Sequence, residues 1–302
     1  MPARIRLVGK MVEPVIPKRA RLAAAVIDKS PNWTAVWASQ AMGALARMPL
    51  PRPLSRTIVA GYSRYFGVNL NEIEPNAIRQ GFPSIDAFFT RRLRDGVRPI
   101  DMREDVAICP SDGNLRGFSV IAQDSKVVAK GHAYAIDELL VDDSLVDSFI
   151  GGTQTTIYLH PRDYHRVHVP FDGSVRSVTL VPGRLLPVTD AAIARKPSLF
   201  AVNERMVFVL DTEYGPFAIV MIAAFGVGNM SCTFCSIDAH PSKIQTVRLE
   251  EPVLVRKGDD LGVFHLGSTV VVLSGPKMRP VNGCRAGSVQ FGQPMLQFGE
   301  MR

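Results

Sequence analysis

The sequence lacks an apolar run long enough to cross a bilayer. Its longest, Phe217 to Val227, is bounded by Pro216 and Gly228 and falls short of the ~18 residues that a helical span requires, so it is expected to be a buried strand. Cysteine is scarce, with only Cys109, Cys232, Cys235 and Cys284, which excludes a disulfide scaffold. Cys232-Thr-Phe-Cys235 is a lone CxxC. Without a second such pair it does not make a zinc site, and without a thioredoxin-like context it does not read as a redox motif. All four are expected to be ordinary core or surface cysteines. The N-terminus has no signal-peptide core, because Lys10, Glu13, Pro14 and Pro17 interrupt it, and Glu13 and Asp28 argue against a transit peptide; a cytoplasmic location is expected. Repeats and low-complexity tracts are absent. Tryptophan occurs twice, at Trp33 and Trp37, one helical turn apart.

What is present is an ordinary globular composition, 46% apolar and 21% charged over 302 residues, enough to bury a sizeable core. The net charge of +7 suits an anionic partner, either nucleic acid or an anionic membrane surface, although a basic balance also serves solubility alone.

The first third reads as helical. Ser30-Pro31 is a helix start, and Trp33, Val36, Trp37, Ala41, Ala44, Leu45 and Met48 share one face until Pro49 and Pro51 end the pattern. The basic residues ahead of it, Arg4, Arg6, Lys10, Lys18, Arg19 and Arg21, make an in-plane membrane helix one reading and a helix packed on the core the other. Further helices are expected over Leu54–Phe66 and Ser84–Arg94. From about residue 106 short β-type runs alternate with Gly, Pro and Asp turns. They are Leu115–Val120, Ser125–Ala129, Thr155–Leu159, Val175–Leu180, Met206–Leu210, Ala218–Ala224, Lys243–Val247 and Gly262–Leu273, with helical signal only at Ile136–Leu140 and Leu185–Ala194. The expected fold is α+β. Residues 1–100 form a basic helical region, and residues 101–302 form a β-rich, mostly antiparallel, sandwich- or barrel-like catalytic domain.

Three stretches could carry chemistry. Tyr158 to Gly173, "YLHPRDYHRVHVPFDG", holds His160, His165 and His168 with Asp163 and two arginines. Its spacing matches no common zinc template, and no metal is expected. Asp112-Gly113 in "CPSDGNLRG" is first of all a turn, but it also supplies a carboxylate. In "GVFHLGSTVVVL" the glycine and hydroxyls of Gly267-Ser268-Thr269 interrupt a strand-like run. Ser268, His168 or His165, and Asp112 together supply a nucleophile, a base and an orienting carboxylate. The G-x-S-x-G elbow is absent around Ser268, and the carbonyl nearest Ser268 is that of Gly267, which carries no side chain to hinder attack.

At this point the sequence resembles the phosphatidylserine decarboxylase proenzymes, a pyruvoyl-dependent family. Leu266-Gly267-Ser268-Thr269, preceded by Lys257 to Phe264, resembles the family's processing region. "YLHPRDYHRVHVP" is similar to its histidine motif, and Ser111-Asp112-Gly113 to its aspartate motif. "FFTRRLRDGVRPI" (Phe88 to Ile100), "KGHAYAIDELL" (Lys130 to Leu140) and "VQFGQPM" (Val289 to Met295) resemble further segments. The likeness runs from about residue 20 to the C-terminus. His265 departs from it, since a less basic residue is expected there.

The resemblance implies self-cleavage between Gly267 and Ser268. His168 would act as base, oriented by Asp112, and Ser268 would attack the Gly267 carbonyl and become a covalent pyruvoyl group. The short chain 268–302 would stay bound to the rest, and Thr269 is given a local hydrogen-bonding role that positions Ser268. The implied reaction is decarboxylation of phosphatidylserine to phosphatidylethanolamine, with His165 or His168 returning the proton. A lipid substrate turns Trp33 and Trp37 into candidate membrane contacts. It implies a peripheral enzyme on the cytoplasmic face of a bacterial membrane, with an anionic membrane surface and no nucleic acid as partner; a homodimer is left open. The alternatives are the same chemistry on another amine acid, or a serine or metal hydrolase using the histidine cluster.

Overall fold

A computed structural model describes residues 32–129, 132–188, 192, 193, 196, 198–224, 229–236, 241–265 and 268–299. Ser30, Pro31, the basic leader and Gly267 lie outside the described residues, as do the side chains of Trp33, Val36 and Ser268. Seven α-helices are described: α1 (Asn32–Arg47), α2 (Arg52–Phe66), α3 (Pro75–Gln80), α4 (Ile85–Phe89), α5 (Ile136–Leu140), α6 (Asp143–Val146) and α7 (Leu199–Val202). Sixteen strands are described: β1 (Val106–Ile108), β2 (Gly113–Val120), β3 (Lys126–Ala129), β4 (His132–Ala135), β5 (Thr153–Leu159), β6 (Arg166–His168), β7 (Gly173–Val181), β8 (Arg205–Thr212), β9 (Gly215–Ala223), β10 (Met230–Cys232), β11 (Gln245–Val255), β12 (Asp260–Phe264), β13 (Ser268–Ser274), β14 (Met278–Pro280), β15 (Gly287–Val289) and β16 (Pro294–Phe298). Helices first, then a β-rich body, is the α+β order expected from the sequence.

The body is organised around an eight-stranded antiparallel sheet in the order β11-β7-β8-β9-β13-β5-β2-β15. Strand β13 is near its centre, paired along its whole length with β9 on one edge and β5 on the other. Val270 to Leu273 are fully buried, as continuous branched apolar runs are when both faces of a sheet are covered. A three-stranded sheet, β10-β12-β6, carries the histidine motif at β6. The run Gly262 to Leu273, expected to be one interrupted strand, is therefore two strands in two sheets, β12 and β13. The crossover between them falls after Phe264, where β12 ends, and before Ser268, where β13 begins.

Two helical expectations are corrected. The helix expected over Ser84–Arg94 starts on the Ser84 hydroxyl, which caps the Ala87 N–H, but it ends at Phe89. Beyond it the buried Arg91 guanidinium bonds the carbonyls of Phe88, Arg162 and Asp163, which ties the chain to the histidine loop instead of continuing the helix. In the helix expected over Leu185–Ala194, residues 185–188 are not helical; Asn203 holds Leu186 by bonding both its N–H and its carbonyl.

Helix α1 faces opposite ways from the two sides of its pattern. Ser39 and Ala46 are buried on the side where α1 meets α4, whereas Trp37 is 69% exposed, Leu45 64% and Met48 55%. The apolar face is not the one that packs on the core. No described helix is long and apolar enough to cross a membrane.

Asp112-Gly113 opens β2. Gly113 has φ +154°, and a Cβ there would lie 2.6 Å from the Tyr158 carbonyl oxygen and 2.7 Å from Ile157 Cγ2 on β5. The glycine is required by the close approach of the neighbouring strand. Gly113→Ala is expected to destabilise the fold by roughly 1–3 kcal/mol, the usual range for overpacking, read as a lowered midpoint in denaturant unfolding; an unchanged midpoint would contradict this.

Candidate active site

The sheet register brings the sequence-predicted residues to one end of the molecule. Thr269 pairs with Tyr158, and Tyr158 with Asn114. One step further, Ser268 pairs with Leu159 and the chain at β2 reaches Gly113 and Asp112. Ser268 and Asp112 therefore lie at the same end of the sheet, on or next to strands separated only by β5. In the smaller sheet His168 pairs with Asp260 and Val263 with Arg166, and the Phe264 N–H donates to the His165 carbonyl at 3.1 Å. Strand β12 then runs directly toward Ser268.

His168 is buried, and its two ring nitrogens are distinguished by their partners. Nδ1 is 2.9 Å from the Gly258 carbonyl, which only accepts, so Nδ1 carries the proton and donates. Nε2 is then the acceptor, bonded by the Tyr164 hydroxyl at 3.2 Å. The ring stacks on Phe291, with centroids 3.7 Å apart and planes 13° apart. Burial lowers its pKa, against which the Asp260 carboxylate and the Gly258 carbonyl act to raise it. The result is a neutral imidazole whose basic nitrogen faces a hydroxyl.

Asp112 is equally buried but does not hydrogen-bond His168. Its carboxylate accepts from Arg98 Nε at 3.0 and 3.2 Å, from Arg98 Nη2 at 2.6 Å and from the Phe291 N–H at 2.9 Å. Phe291 thus joins the two, its backbone on Asp112 and its ring on His168. Arg98 also bonds Glu72 at 2.7 Å. Burial opposes the charge on Arg98, but the hydrogen bonds and charges of Asp112 and Glu72 outweigh it and raise its pKa.

His165 is fully buried. Its Nδ1 donates to the Asp163 carbonyl at 2.9 Å and its ring lies 4.1 Å from Phe89, while Nε2 has no hydrogen-bond partner among the described residues. Burial pushes its pKa down to about 3. The third histidine, His160, is turned toward Phe66. Among the described residues no three His, Cys, Asp or Glu side chains are arranged to hold a metal ion. The Thr269 hydroxyl is buried and likewise without a partner there, so the expected local hydrogen bond is not seen.

Sequence reasoning missed several residues. Phe291 covers one face of the His168 ring while Tyr164 lies beside it with its hydroxyl on Nε2, Asp260 stands 3.6 Å from its Nδ1, and Arg98 holds Asp112. His265, the departure from the expected pattern, has a definite place. Its Nδ1 donates to the Asp86 carboxylate of α4 at 2.8 Å, and its Nε2 meets the Ser231 hydroxyl of β10 at 3.0 Å. It ties the residue after β12 to α4 on one side and to β10 on the other.

Two expectations follow. Arg98→Ala leaves the Asp112 charge buried and unpaired, and is expected to cost about 3–5 kcal/mol in denaturant unfolding, the range for breaking a buried pair. A loss below ~1 kcal/mol, the surface-pair range, would contradict this. His165 has a folded-state pKa below its unfolded value. It therefore contributes stability that is present above the unfolded value of 6.5 and is lost as pH falls toward about 3. His165→Phe is expected to lose less stability than wild type between pH 6.5 and 4.5; parallel pH profiles would show that His165 does not titrate in this way.

Comparison with known proteins shows the family. The phosphatidylserine decarboxylase family model matches residues 85–297. The chain is 39% identical over 231 residues to a phosphatidylserine decarboxylase proenzyme of Pseudomonas aeruginosa, covering 74% of this chain and 80% of the relative. It is 37% identical over 242 residues to the proenzyme of Myxococcus xanthus, covering 79% and 85%, and 37% over 247 residues to that of Bordetella petrii, covering 79% and 84%. The fold, the clustered motifs and these similarities lead to one conclusion: the chain belongs to the phosphatidylserine decarboxylase family.

Proposed function

We propose that this chain is a proenzyme that cuts itself between Gly267 and Ser268, and that it decarboxylates phosphatidylserine to phosphatidylethanolamine at a membrane surface. The observation that carries the reading is the position of Ser268. It begins the central strand β13, at the end of the sheet where β2 brings Asp112, directly after the chain leaves the sheet that holds His168.

In this reading Ser268 attacks the Gly267 carbonyl, and His168 takes the hydroxyl proton on Nε2, through Tyr164 or after Tyr164 moves aside. The Gly258 carbonyl keeps the other ring nitrogen protonated, so the base cannot adopt the wrong tautomer. Asp112 acts through Phe291 and contributes a fixed negative charge that favours a transient imidazolium. The pyruvoyl group formed from Ser268 supplies the electron sink for loss of carbon dioxide. The surroundings suit it: the Thr269 hydroxyl beside that position and the His165 Nε2 are buried polar atoms without partners among the described residues, available to a substrate or a reacting group. His165, neutral at physiological pH, is suited to accept a hydrogen bond there. His168, with Asp260 nearby to stabilise its charged form, is the better acid to re-protonate the product.

The membrane-facing surface is the outer face of α1 and α2. Trp37, Met42, Leu45, Met48 and Leu54 are exposed, and neither helix contains an acidic residue while Arg47, Arg52, Arg56 and Arg64 are exposed on them. Apolar side chains among basic ones suit the interface of an anionic bilayer. Trp33 belongs to the same helix.

Ser268→Ala and His168→Ala are both expected to remain single chains on denaturing electrophoresis, with no carbon dioxide released from phosphatidylserine vesicles. Normal processing of His168→Ala would remove it as the base. Trp37→Ser with Leu45→Ser is expected to reduce binding to phosphatidylserine-containing vesicles by ~10-fold or more, a loss of about 1.5–3 kcal/mol per large apolar side chain being the usual scale. Unchanged vesicle binding would show that this face does not meet the membrane.

A further inference from the structure

The CxxC set aside on sequence grounds has a definite geometry. Cys232 ends β10, where it pairs with Gly262 of β12. Its sulfur accepts two hydrogen bonds, from the Cys235 thiol at 3.1 Å and from the Phe234 N–H at 3.3 Å. Both cysteines are only half-buried, so solvent and small reagents can reach them. Cys109 is the internal contrast. It is fully buried and its thiol donates to the Ser111 carbonyl at 3.2 Å, an arrangement that keeps the proton on sulfur.

The two patterns have opposite chemical consequences. A sulfur that accepts hydrogen bonds is stabilised as a thiolate, which is the nucleophilic form; a sulfur that donates one is stabilised as a thiol. Within the pair, Cys232 is therefore the sulfur whose hydrogen bonds favour attack, and Cys235 the one whose thiol proton is held on it. Burial, reinforced by the bond to Cys232, pushes Cys235 up to about 12. The sulfurs are already in contact, and closing to a covalent length of ~2.05 Å requires a displacement of about 1 Å.

We propose that Cys232 and Cys235 form a dithiol–disulfide exchange site for small-molecule disulfides, with Cys232 as the attacking sulfur and Cys235 as the resolving one. The Cys232 thiolate attacks one sulfur of R–S–S–R, which forms a mixed disulfide and expels one RS⁻. Cys235 then loses its proton and attacks the Cys232 sulfur, expelling the second RS⁻. The two RS⁻ take up the two protons released by the pair. Two electrons pass from the protein dithiol to the reagent, and one disulfide replaces another. The site adjoins the crossover, because the neighbouring Ser231 is the residue that meets the His265 ring. It does not depend on whether the chain is cut at Gly267-Ser268.

The test is to incubate the native full-length protein in glutathione buffers of graded oxidation, block free thiols, and map disulfides by peptide mass. The expected result is a Cys232–Cys235 disulfide, two hydrogens lighter, formed while Cys109 stays a thiol. With oxidised glutathione, Cys235→Ser should accumulate a mixed disulfide at Cys232. Cys232→Ser should form one at Cys235 at least ~10-fold more slowly, as expected for the sulfur that holds its proton. A dithiol that persists in excess oxidised glutathione would overturn the site. Equal rates for the two variants would overturn the assignment of roles.

Discussion

The structure depends on one constraint: strand β13 is hydrogen-bonded along both edges from its first residue. Ser268 pairs with Leu159 on one side and Ala223 on the other, and each following residue to Ser274 is paired in the same way. Backbone bonds in a buried strand are costly to leave unmade. Together with the apolar burial of Val270 to Leu273, they hold β13 in place whatever happens to the peptide bond before it. In the proposed processing, a cut at Gly267-Ser268 would leave the new terminus where the sheet places it.

Around that fixed point the helical region supplies much of the polar frame. Arg98 grips Asp112, Arg91 binds the carbonyls of Arg162 and Asp163, Arg92 and Arg166 meet Asp260, and Asp86 holds His265. Apart from Arg92, which is largely exposed, these charges are wholly or partly buried, and each is met by an opposite charge or a carbonyl, as buried ionic groups require. Residues 86–98 and the histidine loop thus form one electrostatic unit although they are far apart in the chain. His168 is oriented within it by a carbonyl, a hydroxyl and an aromatic face, with Asp112 acting one step removed.

Much of this was legible in the sequence, for physical reasons that also mark where it stopped. Alternation and turn residues gave the β-rich body, and the helix start at Ser84 was readable because a serine there has one clear use, as a cap. The end of that helix was not readable, because Arg91 is drawn off by carbonyls more than seventy residues away. The apolar run around Gly267 showed an interruption but not that its halves belong to different sheets, since apolar residues do not name their partners. Asp112, His165, His168 and Ser268 stood out as residue types able to do chemistry. Phe291 and Tyr164 did not, because an aromatic that stacks on a histidine looks in sequence like any core residue. The CxxC stood out as a pattern, but its direction of hydrogen bonding, which decides which sulfur reacts, is a property of three dimensions alone.

The central claim is that Ser268 is both the end of one chain and the source of the reacting group. Intact mass spectrometry of purified wild-type protein, with N-terminal sequencing of the smaller species, tests it most directly. The account predicts two chains divided between Gly267 and Ser268, with the smaller chain carrying a pyruvoyl terminus that is blocked to sequencing. An uncut chain in active material, or a small chain that begins with a free serine, would contradict it.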